Sequence, residues 1–360
     1  MGILVAILVL SVLIFFHELG HFTAARFFGV QVDVFSIGFG KKLYSRTIGK
    51  TEWSISAIPL GGYVKMKGQD DSDPNNISYD EDSYNVKKPW QRIIILLAGP
   101  FANFLMAFFL YFSVAQIGTY AHPLFNFTKY LPATIGTFSD NSQAKEIGME
   151  INDTIIEINN KKITNWNDIS HITQDTTYPL HISVLRDTQT VTYILEPKEE
   201  ILKNKFGEDV KRMIIGISPK IEKNILTFSF TESITYAWNE TLYASQLIFT
   251  SIEKLVTGAV GIDKVGGVVT IIDVTSQASH AGIVILFLFT ALISVNLGVL
   301  NLLPIPALDG GHIMFNLYEM ITGKTASDKA MMYITMIGWA MLLSLMMLGL
   351  YNDINRLMEK

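Results

Sequence analysis

Four stretches of this chain carry no charged residue and consist mainly of Leu, Ile, Val, Phe, Ala and Met: residues 2–16, 93–118, 281–307 and 330–350. A helix that crosses a bilayer needs about 20 mostly apolar residues. The last three stretches reach that length alone. The first reaches it only if its helix continues through HELGHFTAARFF. A cleaved leader is not expected there, because no basic residue precedes the run and no small-residue cleavage site follows it.

Between the runs the pattern changes. Residues 29–68 alternate apolar and polar positions and are rich in β-branched residues, aromatics and glycine, which predicts strands and hairpins lying against the membrane. The following QDDSDPNNISYDEDSYNVKK is acidic and turn-rich and reads as a solvated loop. Residues 130–220 read as a compact α/β module. It has a short helix, a glycine turn, the strand TIIEIN, a second helix start, and the hairpin HISVLRD/QTVTYILEP. Residues 228–258 have helical periodicity, with an apolar face from Tyr236, Leu242, Tyr243, Leu247, Phe249, Ile252, Leu255 and Val256, but too many polar residues for a fifth span; a helix lying at the outer membrane surface is expected.

The predicted fold class is therefore a polytopic α-helical membrane protein. It has four transmembrane helices, a membrane-associated β-hairpin region and one extracytoplasmic α/β domain. The divisions are a first span at 1–28, the β-region and acidic loop at 29–91, and a second span at 92–119. The α/β domain follows at 120–222, amphipathic helices at 223–280 and a third span at 281–308. A cytoplasmic loop at 309–329 leads to the fourth span and tail at 330–360.

Composition agrees. Of 360 residues 49% are hydrophobic and 17% charged, whereas soluble domains carry nearer a quarter charged. The net charge of −5 argues against a nucleic-acid binder, and no nucleic-acid partner is expected. There is no cysteine, so a metal would have to use His, Asp or Glu. Ten Lys or Arg fall between residues 26 and 92, and Lys324 and Lys329 flank the third connection. By the positive-inside rule these connections are cytoplasmic, which places both termini and the α/β domain outside. Arg356 and Lys360 pull mildly the other way.

The chemistry sits at HELGH, residues 17–21. On a helix His17 and His21 are one turn apart on one face, about 6 Å along the axis. Two imidazoles so placed can meet one tetrahedral metal, with Glu18 beside it as general base. His and carboxylate ligands without thiolate suit one Zn2+ per chain. Ionisable residues in an apolar span are functional by default. A third ligand is required. Asp309, directly after the third run in NLLPIPALDGGH, is the first candidate; a helix-end cap is the plain alternative for it, and His312 is a lower-ranked ligand. The other histidines, His122, His171, His181 and His280, fall in or beside the outer domain.

With HELGH in the first span and NLLPIPALDGG in the third, the chain resembles the site-2 protease family of intramembrane zinc metalloproteases. The bacterial regulator-of-sigma-E protease subgroup is the nearest match. FSIGFG and PLGGYVKM resemble the family's membrane-associated β-region, AGPFANF its second span, and residues 143–166 half of a PDZ domain. The α/β domain is then PDZ-like, with room for one such domain where well-known members have two.

The resemblance implies that His17, His21 and Asp309 hold zinc and that Glu18 is the base. It implies that Asn301, and more weakly Asn296, hold substrate; a helix–helix hydrogen bond is the alternative for Asn301. Gly61 and Gly62 would let substrate backbone approach, unless they form only a turn. The β-region would add an edge strand to an unwound substrate segment. The implied location is the bacterial inner membrane. The implied partners are the lipid bilayer and single-span membrane substrates, either a trimmed anti-sigma factor or leftover signal peptides. Two other classes stay open. An inactive scaffold would have no need of Glu18. A metal transporter would need neither Glu18 beside His17 nor a strand-rich loop next to the site.

Overall fold

The computed structural model describes residues 2–69, 78–118, 127–175, 178–204, 206–221 and 227–358. The chain divides into two compact units. One contains residues 1–117, 228–253 and 261–360, the other 118–227 and 254–260.

The first unit is helical. Helix α1 (Gly2–Phe27) runs through HELGH without a break, so the first apolar run does reach spanning length. Helix α2 (Pro89–Ile117) is the second span and α7 (Ile283–Leu302) the third. The fourth is α9 (Asp328–Met358), longer than its apolar run. All four are long and apolar enough to cross a membrane. Helix α2 packs against both α1 and α7. Close approach depends on small residues: a Cβ on Gly20 would lie 2.2 Å from the Ala98 carbonyl oxygen.

Two long strands, β1 (Val32–Ile48) and β2 (Thr51–Met66), form the β-region. Each folds back on itself. Glu52 pairs with both Val34 and Thr47, and Ile37 pairs with both Ile55 and Gly62. The result is four segments in the order 62–66, 32–39, 51–58, 42–48; the two outer pairs run antiparallel and the central pair, 32–39 with 51–58, runs parallel. Phe35 stacks on Trp53 at 4.4 Å and meets Phe15 and Phe22 of α1 edge-on at 5.7 and 5.8 Å. That aromatic contact fixes the sheet against the helix that carries HELGH. The described part of the acidic stretch is anchored rather than merely solvated. Lys67 pairs with Asp80 and Asp82 at 2.7 Å each, and Ser83 and Tyr84 are buried. Residues 70–77 of that stretch lie outside the described residues.

The second unit is a mixed fold with the expected elements. They are β3 (Ile135–Phe138), α3 (Gln143–Glu146), β4 (Thr154–Ile158), β5 (Lys161–Lys162), α4 (Trp166–Gln174), β6 (Leu180–Arg186) and β7 (Gln189–Leu195). Three further strands follow: β8 (Lys198–Lys203), β9 (Asp209–Ile214) and β10 (Ile217–Pro219). The main antiparallel sheet has the order β5-β4-β6-β7, and β10 pairs with β3. Ile155, Ile158, Leu180, Ile182 and Val184 alternate inward and pack on Trp166 and Ile169 of α4. Asn165 caps α4 with a full capping box to Asp168.

Three expectations change. Helix α5 (Phe230–Val256) exists, but its buried face holds Ser233, Tyr236, Ala237, Glu240, Thr241 and Ala244. Leu242, Phe249 and Val256, expected on the apolar face, are exposed. Much of the apolar face read from periodicity points outward, and small and polar side chains make the close contact inside. Next, α6 (Val268–Ala281) leads directly into α7, with only Gly282 between them. Finally, residues 309–329, expected as loop, contain α8 (Asp309–Thr322). Its two opening glycines masked the helix in sequence. A Cβ on Gly310 would lie 2.1 Å from the Leu303 carbonyl oxygen, so glycine there lets the first turn of α8 pack on the preceding LLPIP turn.

Candidate active site

His17, Glu18 and His21 lie in the second half of α1, and Asp309 opens α8. The fold brings them together across nearly 300 residues of chain. His17 Nε2 is 3.2 Å from His21 Nε2, and each is 3.4 Å from Asp309 Oδ2. The two rings meet edge to face at 4.8 Å. Among the described residues, these three form the group whose ligand atoms could converge on one metal ion. His312 is not part of it, although it lines the same cavity.

The triangle can be tested against zinc. Bonds of about 2.0–2.1 Å in tetrahedral geometry hold ligand atoms about 3.3–3.4 Å apart. The observed edges are 3.2, 3.4 and 3.4 Å. The donor set is two imidazole nitrogens and one carboxylate oxygen, as a catalytic zinc with three protein ligands requires. Asp309 Oδ2 is buried and makes no conventional hydrogen bond, which suits an oxygen reserved for a cation. The residues therefore fit the ion.

The helix opposite supports the triangle. His21 Nδ1 donates to the Ile95 carbonyl at 2.8 Å, which leaves Nε2 free as the ligand atom. Asn103 of α2 lies 3.1 Å from His17 Nδ1. Gly99 stands between them; a Cβ there would lie 2.2 Å from His21 Nε2.

Glu18 is buried, and a Cβ on Gly62 would lie 3.1 Å from its Cγ. The strand segment 62–66 therefore runs beside the turn of α1 that carries Glu18. A cavity of about 540 Å3 opens there, lined by the four chemical residues together with Gly61, Gly62 and Asn301. Asn301 Nδ2 is 3.5 Å from His17 Nε2. Asn296 is half-buried on α7 and does not line this cavity. His171 and His181 are exposed in the second unit, His280 is exposed on α6, and His122 lies outside the described residues. Sequence reasoning missed Asn103 and Gly99. The available signal was the polar side chain of Asn103 in an otherwise apolar span.

A buried glutamate beside a His-His-Asp triangle, on helices of spanning length, defines a class: a membrane-embedded zinc hydrolase of peptide bonds. Comparison with known proteins agrees. The chain matches Peptidase family M50 over residues 5–345. A Campylobacter jejuni protein described as a "putative zinc metalloprotease" is 46% identical over 355 residues, which cover 98% of this chain and 93% of the relative. A Helicobacter pylori protein described in the same words is 37% identical over 361 residues, covering 99% of each chain. A Clostridium acetobutylicum relative, again so described, is 37% identical over 355 residues, covering 98% and 97%. The chain belongs to the M50 (site-2 protease) family and is a membrane zinc metalloprotease.

Proposed function

We propose that this chain is an intramembrane endopeptidase that hydrolyses peptide bonds inside membrane-spanning segments of its substrates. The observation that carries the reading is the placement of buried Glu18 and His21, with half-buried His17 and Asp309, among helices long and apolar enough to span a membrane.

In this reading His17, His21 and Asp309 hold the zinc. The bound ion lowers the pKa of water at its open position and polarises the scissile carbonyl. Glu18 accepts the proton of the attacking water and returns it to the leaving amine. Asn301 donates from its amide to the substrate carbonyl as charge develops there.

A peptide bond within a helix is shielded, so the substrate has to unwind first. Segment 62–66 is an edge of its sheet and borders the cavity, and it would receive the unwound stretch as an added strand. Gly61 and Gly62 serve the sheet's own packing: a Cβ on Gly61 would meet the Phe39 ring, and one on Gly62 would meet Ile14 and the Ser36 carbonyl. The positive connections at 26–92 and 309–329 support a cytoplasmic position for the site. They support both termini and the PDZ-like second unit lying outside the bacterial inner membrane. Single-span proteins are the substrate class, of the trimmed anti-sigma-factor or signal-peptide-remnant kind.

The test is cleavage of a tagged single-span substrate by purified protein in detergent, comparing wild type with Glu18→Gln and measuring zinc in both. Cleavage by wild type alone, with about one zinc in each, supports the reading. Zinc in both with no cleavage of several unrelated single-span substrates overturns the endopeptidase role.

A further inference from the structure

Residues 95, 99 and 103 of α2 recur at four-residue intervals and so lie along one face. Each meets an imidazole of the triangle. The Ile95 carbonyl accepts from His21 Nδ1, Gly99 leaves room for the His21 ring, and the Asn103 amide reaches His17 Nδ1. Asn103 is 0% exposed. Its backbone carbonyl accepts from Ser294 Oγ of α7 at 2.7 Å, so α7 fixes its position from the other side.

Two needs remain at this point. A histidine that binds a metal through Nε2 keeps its proton on Nδ1, and that proton requires an acceptor. The Asn103 Oδ1 atom is buried and has no hydrogen-bond partner. Turning the carboxamide by 180° about its last torsion exchanges Oδ1 and Nδ2 in the same space. Oδ1 then accepts from His17 Nδ1–H, which gives that proton its acceptor, and Nδ2 takes the place Oδ1 had. A neutral amide does this without placing another charge in an apolar span.

We propose that Asn103 is the positioning residue of His17. Its amide oxygen accepts the Nδ1–H and holds the ring with Nε2 toward His21 and Asp309, as the Ile95 carbonyl does for His21. The proposal rests on the reading of those three residues as zinc ligands. It adds the group that sets the tautomer and direction of the first of them.

The experiment is zinc affinity by competition with a chromophoric chelator, on the full-length protein in detergent. The proteins are wild type, Asn103→Leu, Asn103→Asp and His17→Ala. Leu keeps the volume without an acceptor; Asp keeps an acceptor. Loss of such an outer contact typically weakens metal binding by about 10–100-fold. The Leu variant is expected to fall by that amount, and the Asp variant to stay within about threefold of wild type. A packing role alone gives the reverse order, since an apolar span accepts Leu more readily than a carboxylate; that order overturns the proposal. Should the Leu variant fail to fold, the Nδ1–H resonance of His17 in 15N-histidine-labelled, zinc-loaded protein decides. A downfield shift in Asn103→Asp relative to wild type supports the contact, and an unchanged resonance overturns it. If wild type and His17→Ala bind zinc alike, the ligand reading itself falls. If His17→Ala loses zinc while Asn103→Leu matches wild type, only the positioning role falls.

Discussion

Gly99 of α2 stands so close to His21 of α1 that a Cβ on it would lie 2.2 Å from Nε2 and 2.5 Å from Cε1. No rotation of a methyl group relieves such an overlap, because the obstacle is a ring held on its far side by the Ile95 carbonyl. The His21 ring must turn or the helices must part. Gly99→Ala is therefore expected to weaken zinc binding by at least about tenfold, in line with the loss of a contact that orients a metal ligand. Chelator competition on the purified variant checks this. Wild-type affinity there would mean that the two helices separate without disturbing the triangle.

Asp309 and His312 are three residues apart on α8, and both line the cavity, yet only Asp309 closes the triangle. Zinc content separates the two roles. Asp309→Ala removes one of the three proposed ligands, and the isolated protein is expected to retain little zinc after dialysis against a weak chelator. His312→Ala is expected to keep about one zinc per chain. A zinc-free His312 variant beside a zinc-loaded Asp309 variant would reassign the third ligand.

Gly62 sits where the edge segment of the sheet passes α1. A Cβ there would lie 2.8 Å from both Ile14 Cγ2 and the Ser36 carbonyl oxygen, and 3.1 Å from Glu18 Cγ. Gly62→Ala should push the strand and Glu18 apart while leaving the three ligand atoms in place. Small displacements of a positioned group cost up to about 100-fold in rate. The expected outcome is normal zinc content with kcat/KM for a single-span substrate lowered by one to two orders of magnitude. Unchanged kcat/KM would show that this strand position does not set the geometry of the base.

Much of this arrangement was legible in the chain itself, for physical reasons. Uncharged runs of spanning length identify helices because lipid tolerates little else, and all four runs became helices. His17 and His21 could be paired from sequence because helical spacing is fixed, and Asp309 because a carboxylate at the end of an apolar run needs a cation. The contributions of α2 were not legible. Gly99 works by what it lacks, and Ile95 works through a backbone carbonyl that any residue would supply. Helix α8 was hidden because Gly310 and Gly311, poor helix formers in isolation, are required by the close packing of its first turn. The buried face of α5 was not legible, because Ala237, Thr241 and Ala244 make its contacts in place of the larger apolar residues.

In the second unit, Asp153 is buried and is held bidentately by Arg186, with Nε 2.8 Å from Oδ1 and Nη2 2.7 Å from Oδ2. The Glu150 N–H donates to Oδ2 as well, at 2.8 Å. Burial pushes the Asp153 carboxyl up, but the Arg186 hydrogen bonds and the Glu150 amide outweigh it, so it sits below the usual carboxylate range. A carboxylate whose pKa is depressed on folding stabilises the fold fully above the unfolded value of about 3.9. That contribution is lost as pH falls through the lower folded value. Hydrogen exchange of residues 154–158 and 180–186 in the intact protein, corrected for intrinsic rates, should therefore show protection that holds near neutrality and declines below about pH 4. Asp153→Asn removes the titrating group. It is expected to lower protection at pH 7 by about 1–3 kcal/mol, the range for losing a charge-assisted hydrogen bond, and to flatten the acid response. An acid decline as steep in Asp153→Asn as in wild type would place the titration in another carboxylate of the unit, with Glu150, which also pairs with Arg186, next to be tested.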